Sequence, residues 1–200
     1  MPDDLGLPRT GILWLFYDAV AQVWGFTPGD APGFRVLYAA DPRDFAPRPP
    51  PAARAPPEAY VEVALVPEPW FDLPPSGGIH LDGLHLPAAT AEQFSDLHID
   101  LDHRANHKAG GWPDLVQNPM EEECALVTAG IYMGEPGNRR TEEARRILAE
   151  PNDWRLLVQI GSDDDAEMMW GDLGRLYLWI READLSAGRF DRTWLILQCS

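Results

Sequence analysis

Apolar side chains along the chain gather into short runs separated by turn-forming residues, and the period within each run predicts its element. Gly11 to Tyr17 is continuously apolar, as a buried strand should be, and Phe34 to Tyr38 forms a second strand entered from the Pro28-Gly29-Asp30 turn. Tyr60 to Val66 alternates in the manner of a half-buried strand, after which Pro67, Pro69, Pro74 and Pro75 forbid regular structure until about Gly78. Three further strands are predicted at Trp154–Ile160, Arg175–Ile180 and Thr193–Gln198, the last two separated by a short helical turn at Glu182–Ser186. Helical spacing marks Ala88 to Asn106, where Thr90 and Gln93 have capping-box separation and Phe94 and Leu97 share a face. A second helix is expected from Arg140 to Glu150, capped by Thr141 and stopped by Pro151.

Prolines concentrate between Pro47 and Pro57, a stretch that favours polyproline II and reads as an exposed connector. This divides the chain into residues 1–46, a partial first half built of strands, a linker at 47–58, and a main region at 59–200. Two hundred residues suffice for one domain, and a composition of 45% hydrophobic and 24% charged residues is globular. No apolar run approaches the length of a membrane span, and the acidic start has no secretory leader, so a cytoplasmic location is expected. The two cysteines, Cys124 and Cys199, are too few for a disulfide scaffold. A formal charge of −16 disfavours nucleic acid and anionic membrane as partners and favours a basic protein or peptide.

Gly11-Ile-Leu-Trp-Leu-Phe16 echoes Gly174-Arg-Leu-Tyr-Leu-Trp179. The C-terminal half also carries His107-Lys-Ala-Gly-Gly-Trp-Pro113, Gln117-Asn-Pro-Met-Glu-Glu-Glu-Cys124, Asp153 to Ile160, Met168-Met-Trp-Gly-Asp-Leu-Gly174, Leu176 to Arg181 and Phe190 to Cys199. In this order and spacing they resemble the YwqG-like family, a bacterial domain of unknown function, over roughly Gly11 to Cys199. The resemblance implies an α+β fold of antiparallel sheets with an apparent internal duplication and few short helices, and no established activity. Members of that family usually carry an earlier glycine- and proline-rich segment and strand. This chain opens at the piece resembling the strand that follows, so an incomplete first sheet with an unprotected edge is expected.

Candidate chemistry falls in a few places. His98, Asp100 and Asp102 would share one side of an extended segment, whereas His103 and His107 would share one helical face; His98, Asp100, His103 and His107 are the candidate metal ligands. Polar helix ends explain the same residues without a metal, and that explanation is preferred. Ser162 to Glu167 reads as a solvated acidic hairpin loop rather than a calcium site, lacking the order and glycine of an EF-hand. Cys124 follows three glutamates that would raise its thiol pKa, so a buried structural cysteine is expected. Gly110-Gly111 lets the backbone approach a ligand or a strand, with Lys108 placed to meet an anion and Trp112 turned into the core. Met169, Trp170 and Asp172 combine adaptable methionine with indole, as a binding surface does. Lys108, Trp112, Met169, Trp170 and Asp172 are therefore the candidate binding residues.

No nucleophile triad, zinc-finger spacing, phosphate loop or dinucleotide fingerprint occurs. The reading that follows is a non-enzymatic binding module without a cofactor, of immunity type against a basic partner in one concrete form. A divalent-metal-binding protein or metal-dependent hydrolase using the His98–His107 cluster is the alternative.

Overall fold

Each apolar run that found a neighbouring run became a strand. The computed structural model describes residues 5–46, 48, 60–75, 81, 84–100 and 106–200. Within them β1 (Ile12–Tyr17) pairs antiparallel with β2 (Phe34–Ala39), from Ile12 opposite Ala39 to Tyr17 opposite Phe34. A second antiparallel sheet has the order β3 (His107–Ala109), β4 (Trp154–Gly161), β5 (Arg175–Arg181), β6 (Trp194–Gln198). Helix α1 spans Ala88–Asp100, α2 Glu121–Thr128, α3 Glu142–Leu148 and α4 Glu182–Ser186. The architecture is α+β, as expected.

Why β5 and β6 read as unbroken apolar runs is plain from their burial. Leu176 to Ile180 and all of β6 are buried, so neither strand has a solvent face to mark with polar residues. Strand β4 keeps one exposed position, Arg155, and its register shifts between Leu156 and Val158. That irregularity lets consecutive Leu156 and Leu157 both enter the core, which strict alternation would forbid. Helix α2 packs against α3, β4 and β6, and Cys124, Leu126 and Val127 are fully enclosed there. The outer edge of β6 is covered by Trp24, whose carbonyl accepts from the Leu197 N–H at 3.1 Å. Gly25 (φ +82°) makes this possible, because a Cβ there would fall 2.0 Å from the Leu195 carbonyl oxygen.

The echo seen in sequence has a geometric counterpart. β1–β2 and β5–β6 are antiparallel pairs, and a 3₁₀ turn (Pro28–Gly33, Phe190–Arg192) leads into the second strand of each. The glycine before each first strand lies against the last carbonyl of the second. A Cβ on Gly11 would sit 2.2 Å from the Ala39 oxygen, and one on Gly174 2.5 Å from the Gln198 oxygen. The aromatic residues that open the two second strands, Phe34 and Trp194, meet edge to face at 5.4 Å.

Two expectations need correction. Tyr60 to Val66 is neither paired nor half-buried; its side chains are exposed and the segment forms no strand. Helix α1 begins at Ala88, before Thr90, because Pro87 supplies the carbonyl that Thr90 and Ala91 N–H groups use, so the Thr90 capping box does not form. Phe94 and Leu97 are three apart on this helix as expected, Phe94 half-buried and Leu97 exposed. Thr141 does cap α3, accepting from the Ala144 N–H. Apart from Arg48, the linker at 47–58 lies outside the described residues.

Candidate functional site

Two successive glycines in the left-handed region, Gly110 (φ +70°) and Gly111 (φ +72°), turn the chain sharply after β3. What the turn approaches is the protein's own Asp72. Its carboxylate accepts from the Trp112 N–H at 2.8 Å and faces the Lys108 ammonium at 3.4 Å, and a Cβ on Gly111 would meet it at 2.6 Å. Lys108, the single lysine of the chain, also donates to the Asp114 carboxylate at 2.7 Å and the Trp112 carbonyl at 3.0 Å. Asp114 is held in turn by Gln159, which is fully buried on β4: its Oε1 accepts from the Asp114 N–H and its Nε2 donates to the Asp114 carboxylate. The Tyr177 hydroxyl donates to the Asp114 carbonyl at 2.5 Å. Burial pushes that phenol up to about 12, so it stays a donor at neutral pH. The anion expected at Lys108 is thus supplied from within, and Trp112 is half-buried.

The acidic hairpin lies at the end of β4. Asp163 and Met168 form an isolated antiparallel bridge, and Asp163 Oδ1 accepts from the Asp165 and Ala166 N–H groups. Its other oxygen meets His107 Nε2 at 2.7 Å, and that bond leads the interactions that hold the Asp163 carboxyl below its ordinary range. Trp170 is buried, donates its indole N–H to the Gly161 carbonyl, and is flanked edge-on by Tyr17 and Tyr60, each at 5.5 Å. Beside it Met169 and Asp172 are exposed. Gln22 joins this rim, accepting from the Gly171 N–H at 3.0 Å. Gln22 (φ +43°), Glu167 (φ +54°) and Leu173 (φ +50°) all hold left-handed backbone here, an arrangement that side chains tolerate only where surrounding contacts impose it.

Between hairpin and glycine turn runs a strap, residues 60–72. At one end Tyr60 packs on Trp170 and the Val61 N–H donates to the Ala166 carbonyl at 3.0 Å. At the other, Asp72 is bound by Trp112 and Lys108. Between these anchors the strap exposes Val63, Leu65, Val66 and Phe71, with Val66 at 84% and Phe71 at 90%. Beyond Lys108 at the Asp72 anchor, the sequence of strap and hairpin is of one charge sign. No lysine or arginine falls between Arg54 and Arg104 or between Arg155 and Arg175, while Glu62, Glu68, Asp163, Asp164, Asp165, Glu167 and Asp172 do. Of the candidate binding residues here, Met169 and Asp172 are exposed and Trp170 is buried; the contact of Tyr60 with Trp170 had no signal in the sequence, because the two are far apart along the chain.

Of the predicted metal ligands, His98 and His107 lie in different elements. His98 lies in α1 with its ring near Phe94, and His107 opens β3, so His107 does not share a helical face with His103. The extended reading of His98 and Asp100 fails because both are helical. His103 and the Asp100 side chain lie outside the described residues. Among the described residues no group of three or more His, Cys, Asp or Glu side chains is placed to hold a metal ion. Cys124 is fully buried, and desolvation followed by Glu123 and Glu121 raises its thiol well above the ordinary value, which disarms it as a nucleophile. Burial also raises Glu123 to about 7, against the opposing pull of Arg139. A shallow hollow of about 450 Å³ beside α2 and α3 is lined by Glu122, Ala125, Ile147, Leu148, Pro151 and Arg181. Its cation is already engaged, since Arg181 pairs with Asp153 at 2.5 Å and lies over the Trp154 ring. No helix among the described residues is long and apolar enough to cross a membrane.

Residues 1–199 match the family model described as a domain of unknown function (DUF1963), which covers essentially the whole chain and agrees with the YwqG-like resemblance of its motifs. None of the curated proteins matches it. The chain belongs to the DUF1963 family.

Proposed function

We propose that this member of the family is a non-enzymatic, cytoplasmic binding module whose acidic face, formed by the strap and the hairpin, takes a basic protein or peptide, an immunity-type partner being one concrete form. One observation carries the reading: a segment anchored at both ends displays large apolar side chains between carboxylates of its own sequence and of the hairpin, and the one lysine that touches it, Lys108, is already paired with Asp72 and Asp114. Exposed apolar side chains of this kind, rimmed by charge, mark interaction surfaces. Charge of one sign around them selects the partner's sign and speeds its approach. Met169 and Asp172 lie on the same face, while Trp170 acts from beneath as the platform on which Tyr60 rests. Lys108 and Trp112 serve by fastening the far end of the strap.

Titration with a short alternating lysine–valine peptide tests this, with the glutamate–valine peptide as control. The basic peptide is expected to bind and to weaken roughly tenfold as salt rises from about 50 to about 300 mM. Equal binding of both peptides, or none of the basic one, overturns the reading.

A further inference from the structure

Residues 60–66 have the composition of a strand and lack the neighbours of one. Tyr60, Val61, Val63 and Val66 are strong strand formers, yet the Val61 N–H to Ala166 bond is the one backbone hydrogen bond that residues 60–66 make among the described residues. In an extended chain successive N–H groups point to opposite edges. In an extended strap, with Val61 donating toward the hairpin, the N–H groups of Glu62, Ala64 and Val66 would lie on the other edge, where backbone pairing is absent among the described residues. Anchoring at Tyr60 and Asp72 removes part of the entropy that a free segment would lose on pairing.

We propose that the partner binds by strand addition: an extended segment of alternating basic and apolar residues pairs with the open edge of Tyr60–Val66, placing that segment between itself and the acidic hairpin. This rests on the binding-module reading above. Charge decides among occupants. A second copy of the chain would set Glu62 and Glu68 beside their own counterparts with no lysine or arginine from residues 55 to 103 to offset them, whereas a basic strand meets carboxylates on the strap and hairpin. The register ends where Pro67 and Pro69 offer no N–H, so the ladder is short and the exposed Phe71 extends the apolar contact beyond it.

The test compares the lysine–valine peptide with the same peptide N-methylated at alternate backbone nitrogens, on the wild-type chain and on Ala64→Pro. Methylation on the pairing edge is expected to weaken binding roughly tenfold or more, as loss of one or two net hydrogen bonds implies, whereas methylation on the opposite edge leaves it within about twofold. Ala64→Pro, at an exposed and unpaired position, should keep the wild-type melting temperature and lose a similar factor. If methylated and parent peptides bind alike and salt still weakens both, the face binds but strand addition is wrong. If neither binds, both the mode and the binding-module reading fail. Should Ala64→Pro melt early, the methylation series alone decides.

Discussion

Strand β4 and the strap both alternate apolar with other residues, and both lie beside the acidic hairpin. β4 shares backbone hydrogen bonds with β3 on one side and β5 on the other, and it buries Trp154, Leu156, Leu157 and Gln159. Among the described residues the strap makes one backbone bond, and it buries nothing between its anchors. The difference lies in what surrounds each segment. β4 runs between β3 and β5, of which β5 is buried from Leu176 to Ile180, and it packs under α2, so its pairing is supported by burial. The strap is interrupted by Pro67 and Pro69, and among the described residues the hairpin offers it a single carbonyl. Alternation writes the faces of a strand; a neighbour has to supply its edge.

The comparison can be broken most forcefully in the sheet. Trp179→Ala empties a site that is 1% exposed and should cost about 3–5 kcal/mol in urea unfolding, whereas Phe71→Ala on the strap should stay within about 0.5 kcal/mol. A strap substitution as damaging as the core one would mean that the segment belongs to the folded body.

The covered edge of β6 comes next. Gly25→Ala adds a left-handed penalty to a collision with the Leu195 carbonyl, and about 2–4 kcal/mol of stability should be lost, read from thermal melting. A neutral outcome would show that the Trp24 segment is free to leave that edge.

Glu123→Gln sharpens the account of the helical side. The carboxyl is raised to about 7 by burial, so the folded state holds the proton more tightly than the unfolded one. Its contribution is fully present below about pH 4.5, the unfolded value, and is lost as pH rises through 7. The variant should therefore be more stable than wild type by roughly 1–3 kcal/mol at pH 8 and indistinguishable from it at pH 4. Parallel stability-versus-pH curves for the two proteins would contradict the burial of this group.

Much of the fold could be read along the chain where contacts are local or where burial is two-sided. Arg175–Ile180 and the turn at Glu182–Ser186 matched because unbroken apolar runs and short helical spacings are visible without knowing the neighbours. Gly11–Tyr17 holds a strand as expected but not a buried one, with Ile12 and Phe16 exposed and the rest of β1 half-buried. Helix α2 escaped notice because Met120 supplies no side-chain cap. Its signal was the run Glu121-Glu122-Glu123 ahead of Cys-Ala-Leu-Val, acidic residues placed where a helix N-terminus favours them. Strand β3, three residues long, is too short to show a period. At the site, Met169 and Asp172 could be picked out from composition. The docking of Asp72 into the Gly110-Gly111 turn, and of Tyr60 onto Trp170, joins residues with no local signal linking them.

The smallest effect in energy is the most telling for function. Leu65→Ser should leave unfolding within about 0.5 kcal/mol of wild type, since the side chain is 63% exposed, while weakening binding of the lysine–valine peptide by loss of apolar contact with no change of charge. Unchanged affinity would remove the strap from the interface.

Hydrogen exchange, followed residue by residue with and without the basic peptide, tests the account most directly. In the free protein the amides of Glu62 to Val66 should exchange almost as fast as unstructured chain, while those of Leu176 to Ile180 exchange only through global unfolding. Saturating peptide should slow alternate amides in Glu62–Val66 and add protection to the sheet only as far as binding stabilises the whole fold. Core-like protection of the strap in the free protein, or a bound peptide that leaves the strap's exchange unaltered, would contradict it.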